Sequence, residues 1–158
     1  PLYQGEPEAH AVNPFVAVAG ETKAAIEQWR AQGVGEDAVK ARLAAMPVAP
    51  TGTAGEILHD DALAARAFSL LRLDTEVLDR VVDGSMLAAT DTTSPVRVPV
   101  FILAADPAQS VLPPAHEARL AASHPDVEVV RVAGAGHSIH DERAHRDEYV
   151  RRLSDFLG

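Results

Sequence analysis

An α/β chain is predicted, with helices ahead of a short set of parallel strands, and three observations predict it. From Glu21 to about Leu87 the apolar residues recur at helical spacing. At Pro95 the character changes, and Val98–Ala104 is a β-rich apolar run of the kind expected of a parallel strand covered on both faces by helices. A second strand-like run, Val127–Val132, follows one helix later, and an amphipathic helix closes the chain. The chain thus divides into a connecting segment 1–19, a helical stretch 20–94 and a strand–helix–strand–helix portion 95–158.

The first 19 residues show no period, and Pro1, Pro7 and Pro14 argue for an irregular segment there. Ile26 and Trp29 then share one face of a first helix, which Gly33 ends and Gly35 separates from the next. Val39, Leu43 and Met46 form the apolar stripe of a second helix that Pro47 and Pro50 stop. Ile57, Ala64, Ala65, Phe68 and Leu71 are read as one face of a third. Asp74 is placed to cap a fourth, built on Val77, Leu78 and Val81 and ending at Gly84.

In the second portion, Pro113-Pro114 open a helix that runs to about Ser123, proline being tolerated in a first turn. Glu128 and Arg131 place the second strand near a sheet edge. The last helix is read from about Asp141 to Leu157, with Tyr149, Val150, Leu153, Phe156 and Leu157 on one face. Two parallel strands alone leave the outer edge of each unpaired, so this portion calls for more strands than the 158 residues contain.

Composition narrows the function classes. The chain is 47% hydrophobic and 23% charged, which is globular. No apolar run approaches the roughly 20 residues needed to span a bilayer. The net charge is −9, and lysine occurs only at Lys23 and Lys40. A nucleic-acid or anionic-membrane partner needs a basic footprint, so neither is expected. With no cysteine, thiolate chemistry and cysteine zinc sites are excluded. The start Pro1-Leu2-Tyr3 lacks Met and shows no leader pattern, so a cytoplasmic chain, processed or part of a longer product, is expected.

Ligands of open α/β sheets bind beyond the carboxyl ends of the strands. Asp106 and His137 each sit just past such an end, and parallel strands would bring both to one rim. A carboxylate there can accept from one imidazole nitrogen while the other nitrogen takes a proton from a nucleophile. Gly134 and Gly136 allow the tight backbone that presents His137. Asp106 has a second reading as a turn-forming Asp-Pro residue, and Asp83 and Asp91 are weaker candidates for the acid. His137 and His140, spaced i, i+3 beside Asp141, also suit metal ligation. No further ligand at metal spacing accompanies them, so neither metal nor cofactor is expected. Trp29, Phe68, Met86 and Leu87 are candidate substrate-pocket residues, although apolar helical faces more often bury core.

Val98–Pro107, then Val127–Val132, then Ala133-Gly134-Ala135-Gly136-His137-Ser138 resembles the end of an α/β-hydrolase, where the penultimate strand is often followed by the triad acid and the last by a glycine loop bearing the triad histidine. The helical stretch before it is similar to the cap that many members insert. The resemblance implies a hydrolase of ester, lactone or related acyl bonds acting on a small molecule, with His137 as general base and Asp106 as its acid. The family's acid usually lies deeper in its loop, or comes from an earlier strand. The family's Gly-x-Ser-x-Gly nucleophile elbow does not occur here, and Ser85 in Asp83-Gly84-Ser85-Met86 follows no strand. The resemblance therefore implies that an N-terminal half, as a separate chain or a preceding segment, supplies the serine. Pro1-Leu2-Tyr3 looks like the remnant of the Asp-Pro-Pro-Leu-like segment that enters the cap. Epoxide, haloalkane or carbon–carbon bond hydrolysis on the same scaffold, and a non-catalytic ligand-binding or interaction module, are the alternatives.

Overall fold

A computed structural model describes residues 14–48, 52–85, 98–110, 112 and 114–158. The chain is mixed α/β, mostly helical, with a small two-stranded parallel sheet. It divides into two compact units, one comprising residues 1–47 and 60–94, the other 48–59 and 95–158.

The first unit is helical. Helix α1 spans Pro14–Ala31, α2 Glu36–Ala44, α4 Asp60–Arg72 and α5 Glu76–Val82; α3, Ala54–Ile57, belongs to the second unit. Helix α1 packs against α4 and α5, and α2 against α4. Ile26 of α1 and Val39 of α2 are fully buried, and Leu63 and Ala67 of α4 are buried as well. Hydrophobic side chains of this size contribute about 1.5–3 kcal/mol each when fully removed from water. Among the described residues, Ala19 and Ala62 occupy the remaining buried positions of this unit, and small residues there let helix backbones approach closely. Exposed ion pairs sit at the rim: Lys23 with Asp79, Lys40 with Asp60 and Arg72 with Glu36.

Three features differ from the sequence reading. Helix α1 begins at Pro14, five residues before the end of the predicted connecting segment. A proline at the first helical position lacks an N–H that has no intrahelical acceptor in any case, so it opens a helix as readily as it breaks one. Ile57 is not on the third helix, because α4 begins at Asp60, and its buried face carries Ala62, Leu63 and Ala67 while Ala64, Ala65 and Phe68 are exposed. The stretch Ala62–Leu71 is apolar nearly all round, so its periodicity does not choose a face. Met46 lies beyond the end of α2 and is exposed.

The terminus of α1 follows the expected glycine chemistry. Gly33 adopts φ +63°, the N–H of Val34 donates to Trp29 O (2.9 Å) and that of Gly33 to Arg30 O (3.1 Å), a Schellman closure. Nothing lies within 4 Å of where a Gly33 Cβ would be, so the demand is conformational alone. Gly33→Ala is expected to cost about 1 kcal/mol, from the left-handed backbone and not from a clash. A urea titration of the variant, with the slope unchanged and the midpoint lowered, checks it. Thr75, not Asp74, is the N-cap residue of α5, but the Asp74 carboxylate accepts the Glu76 N–H at 3.1 Å as anticipated.

The second unit contains strand β1 (Val100–Ala104), helix α6 (Pro114–Ser123), strand β2 (Val127–Arg131), a 3-10 turn (Ile139–Asp141) and helix α7 (Arg146–Leu157). The strands pair in parallel, with Val100 opposite Val127 and Ala104 opposite Arg131. A parallel pair needs a crossover, and α6 supplies it. Val132, Ala135 and Ile139 form the buried cluster behind the loop that follows β2, with Leu103 and Tyr149 packed against it. Phe156 of α7 stacks on Phe101 of β1, the ring centroids 5.3 Å apart.

Residues 53–59, read in sequence with the helical stretch, pack in this second unit. Ala54–Ile57 is a one-turn helix, α3, whose preceding Thr53 N–H donates to the Glu56 carboxylate at 2.7 Å. Leu58 forms an antiparallel bridge with Glu142, His59 N–H donates to Asp141 O (2.8 Å) and Arg143 N–H to Ile57 O (2.9 Å). The final helix starts at Arg146, not at Asp141, because the chain uses Ile139–His145 for the 3-10 turn and the turn after it. Helix α7 has no fully buried residue; Val150 and Leu157, predicted on its core face, are exposed, Leu157 at 72%. Among the described residues no helix is long and apolar enough to cross a membrane.

Candidate active site

The carboxyl ends of β1 and β2 lie side by side because Ala104 pairs with Arg131, and the ladder continues one step further through Val132 N–H to Ala104 O at 2.9 Å. The Arg131 guanidinium fastens this rim. Its Nε donates to Glu117 of α6 (2.8 Å), Nη1 to Ala105 O (2.9 Å) and Nη2 to Leu112 O (2.9 Å). A planar fork with several donors suits this three-way tie. One cation thus joins the end of β2, the loop after β1 and the crossover helix.

Asp106 follows immediately. Its N–H donates to Ala135 O at 3.0 Å, and its carboxylate accepts the N–H of Gly134 on Oδ2 (3.1 Å) and of Ala108 on Oδ1 (3.0 Å). Gln109 N–H closes the turn onto Asp106 O at 2.8 Å. The side chain therefore performs the Asp-Pro turn role and, in addition, bonds the loop that carries His137 from both its backbone and its carboxylate. The Gly134 and Ala108 N–H groups, in that order, hold the Asp106 carboxyl below its ordinary value, with partial burial opposing them and the Arg131 charge assisting. A lowered folded-state value means that the ionised form contributes stability above the ordinary 3.8, and that this contribution is lost as the pH falls through the folded value. Asp106→Asn is expected to flatten that part of the acid limb of a stability-against-pH curve, which thermal melts across acidic buffers would check. An unchanged limb would show that the carboxylate's bonds to the two loops do not matter.

The loop 133–138 places its two glycines for different reasons. Gly134 has φ +74° and open space where a Cβ would be. Gly136 does not have a positive φ; instead, a Cβ there would meet Glu142 Oε1 at 2.6 Å and Gln109 Oε1 at 3.2 Å. The expectation that both glycines serve backbone conformation is thus correct for Gly134, while Gly136 serves close approach. His137 follows, its side chain exposed on the rim to which Asp106 is bonded.

Sequence reasoning missed Glu142. It is buried, at 6% exposure, and its Oε2 accepts the Gly136 N–H at 3.0 Å. His145 Nε2 lies 4.0 Å from the same oxygen. In sequence Glu142 sits within Asp141-Glu142-Arg143, a run that looks like any solvated helix start, and no signal there separates it from its neighbours.

The other sequence candidates fall elsewhere. Trp29 is half-buried in the first unit with the Arg42 guanidinium 5.9 Å from its ring centre, and Phe68 is 49% exposed with Arg72 3.7 Å above it. These cation–π contacts account for both rings on a helical surface. Asp83 accepts the Ser85 N–H (2.8 Å) just after α5, and a helix, not a strand, precedes Ser85. Met86, Leu87 and Asp91 lie outside the described residues. His140 Nε2 is 3.5 Å from Asp141 Oδ1, and its ring tilts against Tyr149 at 5.6 Å. Among the described residues no group of three or more His, Asp or Glu side chains is arranged to hold a metal ion. No family model, curated protein or solved structure matches the chain.

Proposed function

We propose that this chain is the C-terminal part of an α/β-hydrolase-type enzyme acting on an ester, lactone or related acyl bond of a small molecule. The observation that carries the reading is the bonding of Asp106, at the end of one parallel strand, to the glycine loop that presents His137 beyond the end of the next. The reading takes Asp106 as the acid and His137 as the base, both beyond the strand ends where open α/β folds bind ligands. His137 is the general base in this reading: it takes the proton of a serine hydroxyl as the oxygen attacks the acyl carbon, then returns it to the leaving alkoxide. Asp106 orients the imidazole. The serine comes from an N-terminal segment outside these 158 residues, which also adds strands beside β1. Two features support that addition: β1 is wholly apolar, and Val98 just ahead of it is 65% exposed. The helical first unit acts as the cap, and the enzyme works in the cytoplasm.

The test is hydrolysis of p-nitrophenyl esters by the chain alone, by the protein that includes the segment upstream of it, and by the latter with His137→Ala. The chain alone should be inert and the longer protein active. Turnover untouched by His137→Ala would end the proposal.

A further inference from the structure

Burying a carboxylate costs several kcal/mol unless charge and hydrogen bonds compensate. Glu142, a buried acid, thus calls for an explanation. Its backbone is held on both sides. Its N–H donates to Ile139 O (3.3 Å), its carbonyl accepts from His145 (3.1 Å) and Arg146 (2.9 Å), and Leu58 bridges it from α3. The carboxylate therefore projects from a rigid corner at the head of α7. From there it reaches the amide of Gly136, the residue immediately before His137. A methyl group at that position would stand 2.6 Å from Glu142 Oε1, so the carboxylate would have to shift to admit it.

The far side of the same loop is held by Asp106, through the Gly134 N–H and the Ala135 carbonyl. Three consecutive residues before His137 are thus bonded to two different carboxylate-bearing corners, Asp106 for Gly134 and Ala135, and Glu142 for Gly136. A peptide gripped at every step up to Gly136 can turn only about the His137 backbone and its own side-chain torsions. We propose that Glu142 is a positioning residue for His137: its buried carboxylate clamps the Gly136 amide and so sets where the imidazole stands on the rim. This rests on the reading of His137 as the base. A neutral acceptor would satisfy the Gly136 N–H at a smaller desolvation cost. A carboxylate makes the stronger, charge-assisted bond, and His145 at 4.0 Å stands close enough to offset its charge when protonated.

The experiment is amide exchange and imidazole resonance in the full 158-residue chain, comparing the parent with E142A and E142Q. Hydrogen bonds to charged groups contribute about 1.5–3 kcal/mol, so Gly136 exchange should accelerate roughly tenfold or more in E142A. The amides of Ile102 and Val129 in the sheet should stay as they were, and the His137 ring signals should shift. E142Q, which keeps an oxygen acceptor, should restore part of the protection. If E142A does not fold, E142Q still decides: its Gly136 amide should exchange faster than the parent's while the amides of Ile102 and Val129 hold. Unchanged Gly136 exchange, or acceleration shared equally by the sheet amides, would overturn the proposal. In the longer protein, E142A should lower kcat with KM little changed, and E142Q should recover part of it. Should His137→Ala leave turnover intact there, the base assignment fails while the Gly136 measurements stand on their own.

Discussion

If His137 is the general base proposed above, ester turnover by a protein that includes the upstream segment is expected to fall by about 10²–10⁴ when His137 becomes alanine. In that reading, without the imidazole a serine must lose its proton to water at the moment of attack, and the leaving alkoxide must find another acid. Asp106→Asn separates the two roles weighed for that residue. The asparagine keeps one oxygen acceptor but turns an NH₂ group toward a backbone N–H, so one of the bonds to Ala108 and Gly134 is lost. If Asp106 also orients the imidazole, turnover should fall by a further large factor while KM holds. If it only joins the two loops, the melting temperature should drop and kcat should change little.

The second large effect is at Gly136. Gly136→Ala inserts a methyl group where Glu142 Oε1 stands 2.6 Å away. The carboxylate must swing aside, and in doing so it gives up the Gly136 N–H at 3.0 Å while remaining buried. The expected loss is about 1.5–3 kcal/mol, the range for a hydrogen bond to a charged group. Gly134→Ala is the natural comparison, because it meets no atom within 4 Å and suffers only from φ +74°. Its cost should be about 1–2 kcal/mol and should not respond to a second change at Glu142. The double variants Gly136→Ala/Glu142→Gln and Gly134→Ala/Glu142→Gln, measured by urea unfolding, would show coupling in the first pair alone. Equal coupling in both pairs would mean that Gly136 is conformational after all.

Much of this arrangement was legible in the residues themselves. The parallel strands follow from two apolar runs joined by a helix, while their register, Val100 opposite Val127, came from the structure. Gly33 announced a helix end because an L-residue resists φ +63°, and Asp74 announced a helix start because its carboxylate can take a free N–H. What was not legible lay where local chemistry is ambiguous. Pro14 begins a helix or breaks one depending on residues that precede it. The stretch Ala62–Leu71 offers two apolar faces, and the packing of α2 against α4 chose the one containing Leu63 and Ala67.

The rim of the sheet shows the division most clearly. By itself the sequence determined that Asp106 and His137 follow the ends of successive strands and that two glycines precede the histidine, because strand ends and left-handed turns are written in short stretches of chain. Only the tertiary structure decided that Asp106 bonds Gly134 and Ala108, that Gly136 is glycine for space, and that Glu142 is the acid filling that space. Burial depends on which distant segment arrives. The bridge from Leu58 brings α3 against the corner that holds Glu142, and with its carboxylate set on the Gly136 amide a residue of ordinary surface type becomes a buried one.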